Sequence, residues 1–99
     1  MGYNDSVMIE VRQTAEFSGW LRRLKDADAV ARIRRMELGN PGDAQSVGKA
    51  VMEMRIDYGP GYRIDYMHRG DARVLLLCGG DKRTPRQDIR RAQELAEKQ

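Results

Sequence analysis

The stretch VMEMRIDYGPGYRIDYMHRGDARVLLLC, residues 51–78, decides the fold of this chain. Over residues 47–58 apolar and polar side chains alternate, which is the pattern of a half-buried strand. Gly59-Pro60-Gly61 predicts a turn after this strand, and Gly70-Asp71 predicts a second hairpin turn. The run 74–78 is apolar throughout, as in a strand that is buried on both faces. These patterns together predict a three-stranded antiparallel meander.

Two helical patterns precede the meander. Thr14 is placed to cap a first helix, in which apolar residues recur at the i, i+3, i+4 and i+7 spacing of one buried stripe. The members of this stripe are Phe17, Trp20, Leu21 and Leu24. A second helix begins near Asp26, carries Val30, Ile33 and Met36 at helical spacing, and ends before residues 39–42, which read Gly-Asn-Pro-Gly. Two adjacent helices of this kind predict a helical hairpin.

The length and composition fit one domain. A chain of 99 residues with 40% hydrophobic content can build one core and no second one. Residues 8–12 have the pattern of a first strand, and residues 1–7 are expected to be a loose N-terminal extension. We therefore predict a single α+β domain over residues 1–99, made of an N-terminal strand, the helical hairpin, the meander and a C-terminal helix.

The charges are distributed unevenly along the chain. There are 18 Lys and Arg against 15 Asp and Glu, and the whole excess of +3 falls within residues 55–99. Such an excess favours contact with phosphate groups, although a solvated basic surface is the alternative explanation. No apolar run approaches the roughly 20 residues that a membrane span requires, so we expect a cytoplasmic protein with no membrane partner. Since Cys78 and His68 are single, we expect no metal and no cofactor.

The turns allow an argument about strand register. If the first turn is a three-residue loop, Asp57 lies opposite Arg63 and Arg55 lies opposite Asp65, with all four charges on one face. Continuing the third strand past its glycines brings Lys82 to the Arg63 end. Three cations would then converge on a surface suited to a phosphate. The alternative is that these are ordinary cross-strand ion pairs, and a one-residue bulge would reverse the face assignment.

The predicted C-terminal helix carries an unusual charge at its start. Thr84 and Gln87 fit a capping box, and Pro85 fits the first helical position. Basic residues crowd the first half of this helix, where positive charge opposes the helix dipole. They include Arg83, Arg86 and Arg90. A bound phosphate near this helix start would relieve the unfavourable interaction.

The chain resembles a known family at several motifs. They are Gly39-Asn40-x-Gly42-Asp43, Gly59-Pro60-Gly61-Tyr62-Arg63 and Leu76-Leu77-x-Gly79-Gly80-Asp81-Lys82. In these blocks, over about residues 8–97, the sequence resembles the addiction-module killer proteins, a HigB-like branch of the RelE/ParE toxin superfamily. The resemblance implies the same order of elements, mRNA cleavage that is often ribosome-dependent, and neutralisation by a small antitoxin, typically a DNA-binding helix-turn-helix protein.

The resemblance also implies roles for individual residues. Arg55, Arg63 and Lys82 stand at the matching positions and are the predicted catalytic residues of a metal-independent endoribonuclease. The two arginines would grip the phosphoryl oxygens, and Lys82 would stabilise developing charge or the leaving oxygen. The general base stays open among three residues, Asp57, Asp65 and His68. The predicted RNA-binding residues are Lys49, Arg83, Arg86 and Arg90.

Two departures from the family pattern leave other functions open. The second helix is about one turn shorter than in relatives, and Pro85 stands where relatives usually have Gln. The alternatives are a ParE-like inhibitor of DNA gyrase and a degenerate, non-toxic member that acts as an antitoxin-binding co-repressor. Tyr62 and Tyr66 could stack on RNA bases, but their spacing beside Ile64 also fits the core.

Overall fold

The computed structural model describes residues 10–34, 44–57, 59–70, 73–81 and 83–99, and it has an α+β fold. The elements in chain order are β1 (Glu10–Gln13), α1 (Ala15–Arg23), α2 (Ala27–Arg34), β2 (Ala44–Gly48), β3 (Val51–Ile56), β4 (Tyr62–His68), β5 (Arg73–Asp81) and α3 (Pro85–Glu97). The strands form one mixed sheet in the order β1-β5-β4-β3-β2, in which β1 runs parallel to β5. The predicted α+β class is confirmed.

The predicted meander is confirmed as β3, β4 and β5, but its first register is wrong. Ile56 pairs with Tyr62, so the connection takes residues 57–61 instead of the three residues that were predicted. As a result Arg55 lies opposite Arg63. The two-residue shift keeps every side chain on its predicted face, because side chains alternate with a period of two.

The second register of the meander is also wrong. His68, not Met67, lies opposite Val74, and a bulge follows between Asp65 and Tyr66 in the pairing with β5. The bulge brings Gly80 opposite Arg63, where Cys78 had been predicted. A bulge of this kind leaves no mark in the hydrophobic pattern, because one extra residue in a fully buried strand is as apolar as its neighbours.

The prediction of a single strand over residues 47–58 is wrong as well. The chain forms a hairpin here, with β2 antiparallel to β3 and Lys49 and Ala50 in the turn at φ values of 55° and 66°. Hairpin turns with positive φ usually carry Asn or Gly, so the Lys-Ala pair gave no turn signal. Tyr58, which closes the predicted strand, lies outside the described residues.

The N-terminal helices follow the prediction only in part. The Thr14 hydroxyl accepts a hydrogen bond from the backbone N–H of Phe17 at 3.0 Å, so the predicted cap is confirmed. A helical hairpin is not confirmed, because α1 packs on β5 and β1. Three parts of the prediction lie outside the described residues. They are the end of the second helix, the loose extension over 1–7 and the first two residues of the predicted strand 8–12.

The start of α3 differs from the predicted capping box. Pro85 occupies the first helical turn as predicted, but the Thr84 side chain makes no capping hydrogen bond to the backbone. The Thr84 hydroxyl donates instead to a carboxylate oxygen of Asp88 at 3.3 Å. The fourth helical residue therefore competes for the hydroxyl that a capping box would use.

Two apolar clusters cover the two faces of the sheet. Under α1 and α2 the buried members are Phe17, Leu21, Ile33, Met54, Ile64, Tyr66, Val74 and Leu76. Under α3 the buried members are Val51, Leu75, Leu77, Cys78 and Ala92. The second cluster is smaller, which leaves part of the α3 face to polar residues. None of the helices in the described ranges has the length and apolar character needed to cross a bilayer.

Candidate functional site

Charged residues occupy the part of the α3 face that lies next to the β3–β4 turn. Val51 packs with Ala92 of α3, so the alternation along β3 places Glu53 and Arg55 on the same face. Arg63 lies opposite Arg55, and Asp65 lies opposite Glu53. Like charges therefore face each other directly across two neighbouring strands. Such pairs destabilise a sheet, and the directly opposed ion pairs Arg55–Asp65 and Asp57–Arg63 of the alternative explanation do not form.

The carboxylate of Glu53 holds the two arginines together. One of its oxygens, Oε1, lies 3.8 Å from Nε of Arg55 and 3.8 Å from Nε of Arg63. The same oxygen accepts a hydrogen bond from Nε2 of Gln45 on β2 at 3.2 Å. Only 3% of Glu53 is exposed, so its carboxylate is shielded from water. The opposing guanidinium groups are thus brought together by a diagonal contact to a buried anion.

Arg63 has hydrogen-bonding capacity that the described residues do not use. Its side chain is 23% exposed, against 56% for Arg55. Nη1 of Arg63 is buried and has no hydrogen-bond partner within the described ranges. A buried donor left without a partner costs about 1–3 kcal/mol. A planar guanidinium that retains a free donor is well suited to a phosphoryl oxygen.

Two further carboxylates lie beside Arg63. Asp65 is 1% exposed, and its Oδ1 has no hydrogen-bond partner in the part of the chain that the structure describes. Burial and the charges of Glu53 and Asp88 together raise the pKa of Asp65 to about 7, and the charge of Arg63 acts against them. Burial also raises the pKa of Asp88. Asp88 packs over Gly80, since a Cβ atom there would collide with Oδ2 of Asp88.

A pocket of about 550 Å³ opens beside these arginines at the β3–β4 turn. Its lining residues include Arg55, Arg63, Asp57 and Tyr62. The remaining lining residues are Ala44, Gln45, Ile56, Pro60 and Gly61. The volume falls within the range of small-ligand sites, so the pocket can take one unit of a flexible polymer.

The structure brings together two of the three predicted catalytic residues. Arg55 and Arg63 meet at Glu53, while Lys82 lies outside the described residues. Among the predicted RNA-binding residues, three flank the start of α3, which packs over the Arg63 end of the sheet. They are Arg83, Arg86 and Arg90, and all three are exposed. Lys49 lies at the other end of β3, where it contacts Glu97 at 3.3 Å.

The structure narrows the choice of general base. Asp57 lines the pocket, whereas Asp65 is buried beneath it and His68 stands at the far end of β4. The far end is about 15–20 Å from Arg63 at the rise of a strand. Asp57 is therefore the candidate base with access to a bound ligand.

Other residues with possible chemical roles belong to the core. Tyr62 and Tyr66 are 7% and 0% exposed, which favours the core interpretation over base stacking. Burial, together with the charges of Glu16 and Asp65, raises the pKa of Cys78 to about 12, so this thiol is protonated at physiological pH. No group of three His, Cys, Asp or Glu residues within the described ranges could hold a metal ion.

Sequence reasoning missed two members of the site. Glu53 was placed on the polar face by alternation, but nothing in the pattern indicated that it joins the two arginines. Asp88, in the first turn of α3, was not singled out by the sequence pattern. The available signal was Gly80, because a glycine inside a buried strand often marks the close approach of another group.

Two comparisons with known proteins give matches over most of the chain. Residues 16–97 match the model of the family described as "Phage derived protein Gp49-like (DUF891)". A protein from Haemophilus influenzae (strain Rd), described as an uncharacterized protein, is 43% identical over 93 residues. The aligned region covers 90% of this chain and 94% of that protein. The match therefore includes the whole charged part of the α3 face.

Proposed function

The chain belongs to the phage-derived Gp49-like family, a RelE-like toxin family of addiction-module killers, and on this premise we propose that it is a toxin that cleaves mRNA. Within that family we assign it to the HigB-like branch. Its cognate partner would be a small antitoxin with a helix-turn-helix fold. Its substrate would be mRNA, in the free state or on the ribosome.

The observation that carries this proposal is the arrangement of Arg55 and Arg63. Two guanidinium groups face each other from neighbouring strands, share one buried carboxylate and open onto a pocket. A sheet that only needed stability would not place like charges opposite each other. A phosphodiester between the two groups would replace this repulsion by attraction and would use the free Nη1 of Arg63.

The chemistry that fits these groups is attack by the neighbouring 2′-OH of the ribose. The bond from the 2′-oxygen to phosphorus forms, the bond to the 5′-oxygen breaks, and a 2′,3′-cyclic phosphate and a 5′-OH result. Asp57 accepts the proton of the 2′-OH, and Lys82 supplies a proton to the departing oxygen. Arg55 and Arg63 stabilise the negative charge of the pentavalent phosphorus, so the proposed reaction does not use a metal ion.

The basic residues outside the pocket would hold the rest of the strand. Arg83, Arg86 and Arg90 would hold the strand along α3, where all three are exposed, and Lys49 would act more weakly because it lies at the far end of β3. The logarithm of RNA affinity falls linearly with the logarithm of the salt concentration. Replacing a residue that contacts phosphate should make this slope less steep by about one unit. Comparing the salt dependence of Arg86→Ala with that of Lys49→Ala therefore shows whether the RNA lies along α3 or reaches the far end of β3.

Primer extension on cellular transcripts tests the proposed function. Wild-type protein, Arg63→Ala and Arg69→Ala are induced separately, Arg69 being an exposed arginine beyond the far end of β4. Wild type and Arg69→Ala are expected to arrest growth and produce new 5′ ends, and Arg63→Ala is expected to produce neither. Growth arrest with intact mRNA and inhibited gyrase would identify a ParE-like toxin instead. Tolerance of the wild type without antitoxin would indicate a non-toxic co-repressor.

A further inference from the structure

We propose that Asp65 is a proton-linked positioning residue, which takes up a proton when an anion binds at Arg55 and Arg63. The unionised form of Asp65 would leave Arg63 free to hold the anion, and the ionised form would compete with it. The inference rests on the proposed function only in naming an RNA phosphodiester as the natural anion. The coupling itself concerns any anion of suitable size.

The first support is the balance of charge around Arg63. Glu53 contacts it from β3, Asp65 lies two residues along on β4, and Asp88 reaches over Gly80 from α3. With Arg55 included, three carboxylates surround two guanidinium groups. When all five groups are ionised the cluster carries one net negative charge, which repels an incoming anion. Removing the charge of one carboxylate makes the cluster neutral.

The second support is that the three carboxylates have different partners. Glu53 contacts both arginines and Gln45, and Asp88 accepts a hydrogen bond from the Thr84 hydroxyl. Asp65 is almost completely buried and has an oxygen, Oδ1, without a partner among the described residues. A buried carboxylate with an unused oxygen gains most from carrying a proton.

The remaining groups that face Asp65 do not offset its charge. Cys78, directly opposite on β5, is a thiol whose pKa is raised to about 12, so it is neutral at physiological pH. Asp81 acts on the Asp88 end of the cluster and also raises the pKa there. The pKa of Asp65 itself is raised to about 7, within the range in which a cell protein operates. The proton therefore comes from water at little cost.

The coupling predicts a specific pH dependence of anion binding. One proton taken up per anion bound means that affinity falls by up to about tenfold for each pH unit above the pKa of Asp65 in the free protein. Below that pKa the affinity should be constant. Because the bound anion adds a negative charge, it should also raise the pKa of Asp65 in the complex.

Sulfate is the probe for the first experiment, since its charge stays constant over the pH range that matters. Sulfate affinity of wild type, Asp65→Asn and His68→Gln is measured by calorimetry from pH 5.5 to 8.5. The sulfate affinity of wild type and of His68→Gln is expected to fall about 10-fold or more between pH 7 and pH 8.5. Asp65→Asn is expected to retain its low-pH affinity throughout. The His68 variant is the control because His68 is the single histidine of the chain and lies at the far end of β4, away from the two arginines.

A measurement on the wild type keeps the proposal testable if Asp65→Asn does not fold. Carboxyl carbon NMR follows the titration of Asp65 with and without sulfate, and the pKa is expected to rise when sulfate is bound. An unchanged pKa, or sulfate affinity that does not vary with pH in the wild type, would overturn the inference. An RNA oligomer with a 2′-deoxy residue at the cleavage site repeats the binding series.

The two experiments separate the two proposals. Sulfate binding with the expected pH dependence, combined with intact cellular mRNA, would leave the proton coupling standing and reject the endoribonuclease. Cleaved mRNA with pH-independent binding of sulfate and of the RNA oligomer would confirm the endoribonuclease and reject the role of Asp65.

Discussion

The two faces of the sheet are made by the same strands but differ in what they bury. On β4, Ile64 points into the apolar cluster under α1 and α2, and its neighbour Asp65 points to the opposite face under α3. The first face is apolar throughout, whereas the second combines an apolar half with the cluster around Arg63. Buried like charges cost stability, so the apolar face must supply most of the stability of the fold, while the charged part is the candidate ligand site.

The largest expected effect breaks the apolar face. Ile64 is fully buried in the cluster that includes Phe17 and Tyr66. Ile64→Ala should lower the free energy of unfolding by about 2–5 kcal/mol, because it removes buried methyl groups and leaves a cavity. Ile64→Val, as the matched control, should cost only about 0.5–1.5 kcal/mol. Urea unfolding at pH 7 measures both, and equal losses for the two variants would show that this face is loosely packed.

The next effect concerns Asp65, whose replacement should raise the free energy of unfolding instead of lowering it. Its pKa is raised in the folded protein to about 7, so between about pH 4 and pH 7 the folded state binds more protons than the unfolded state. The free energy of unfolding should therefore fall as pH rises through this window, by up to about 4 kcal/mol from this one group. Asp65→Asn should remove that part of the decline, so its advantage over wild type should grow towards pH 7.

Urea unfolding of both proteins at several pH values checks this prediction. The difference between wild type and Asp65→Asn is the quantity to compare, since Asp88 titrates in the same direction and Glu16 in the opposite direction in both proteins. A constant difference from pH 4 to pH 8 would show that Asp65 has an ordinary pKa, and that the cluster is better solvated than its burial indicates.

A smaller pair of effects compares the two faces at adjacent positions of β5. A Cβ atom on Gly79 would collide with the ring of Trp20, and a Cβ atom on Gly80 would collide with the carboxylate of Asp88. Gly79→Ala should cost about 1–3 kcal/mol, because the indole is fixed by the core. Gly80→Ala should cost about 1 kcal/mol, because the end of a carboxylate can turn aside.

For sulfate affinity the order of the two glycine substitutions should be reversed, with the larger effect at Gly80. Turning Asp88 aside removes a carboxylate from beside Arg63, so Gly80→Ala should change sulfate affinity while Gly79→Ala leaves it unchanged. Thermal unfolding and calorimetry on the same samples measure both properties. Equal effects on affinity would indicate that Asp88 does not act on Arg63.

Much of the fold could be predicted from the sequence, because periodicity reports burial directly. The meander, the Thr14 cap and the apolar stripe of α1 all follow from alternation, turn residues and helical spacing. The β2–β3 hairpin could not be predicted, since its turn uses Lys49 and Ala50 where a glycine or asparagine would have been the signal. Loop length and bulges have no signature in a uniformly apolar strand.

The sequence was enough to predict which face of the sheet carries the candidate site, but not which of its residues pair across the strands. Alternation alone places Arg55 and Arg63 on one side, and this survived a register error of two residues. Their direct opposition, the bridging role of Glu53 and the reach of Asp88 depend on exact register and on how α3 packs. These are tertiary properties, for which neighbouring residues in the chain carry no information.

The smallest expected effect separates buried charge from exposed charge. Glu10 on β1 also contacts two arginines, Arg12 at 3.1 Å and Arg73 at 3.0 Å, which is the arrangement that Glu53 makes with its own pair. The Glu10 side chain is 43% exposed, against 4% for Glu53, so water can replace both contacts. Glu10→Gln should therefore change the free energy of unfolding by less than about 1 kcal/mol. A larger loss in urea unfolding, removed by 0.5 M salt, would mean that the exposed edge depends on ion pairs as much as the α3 face does.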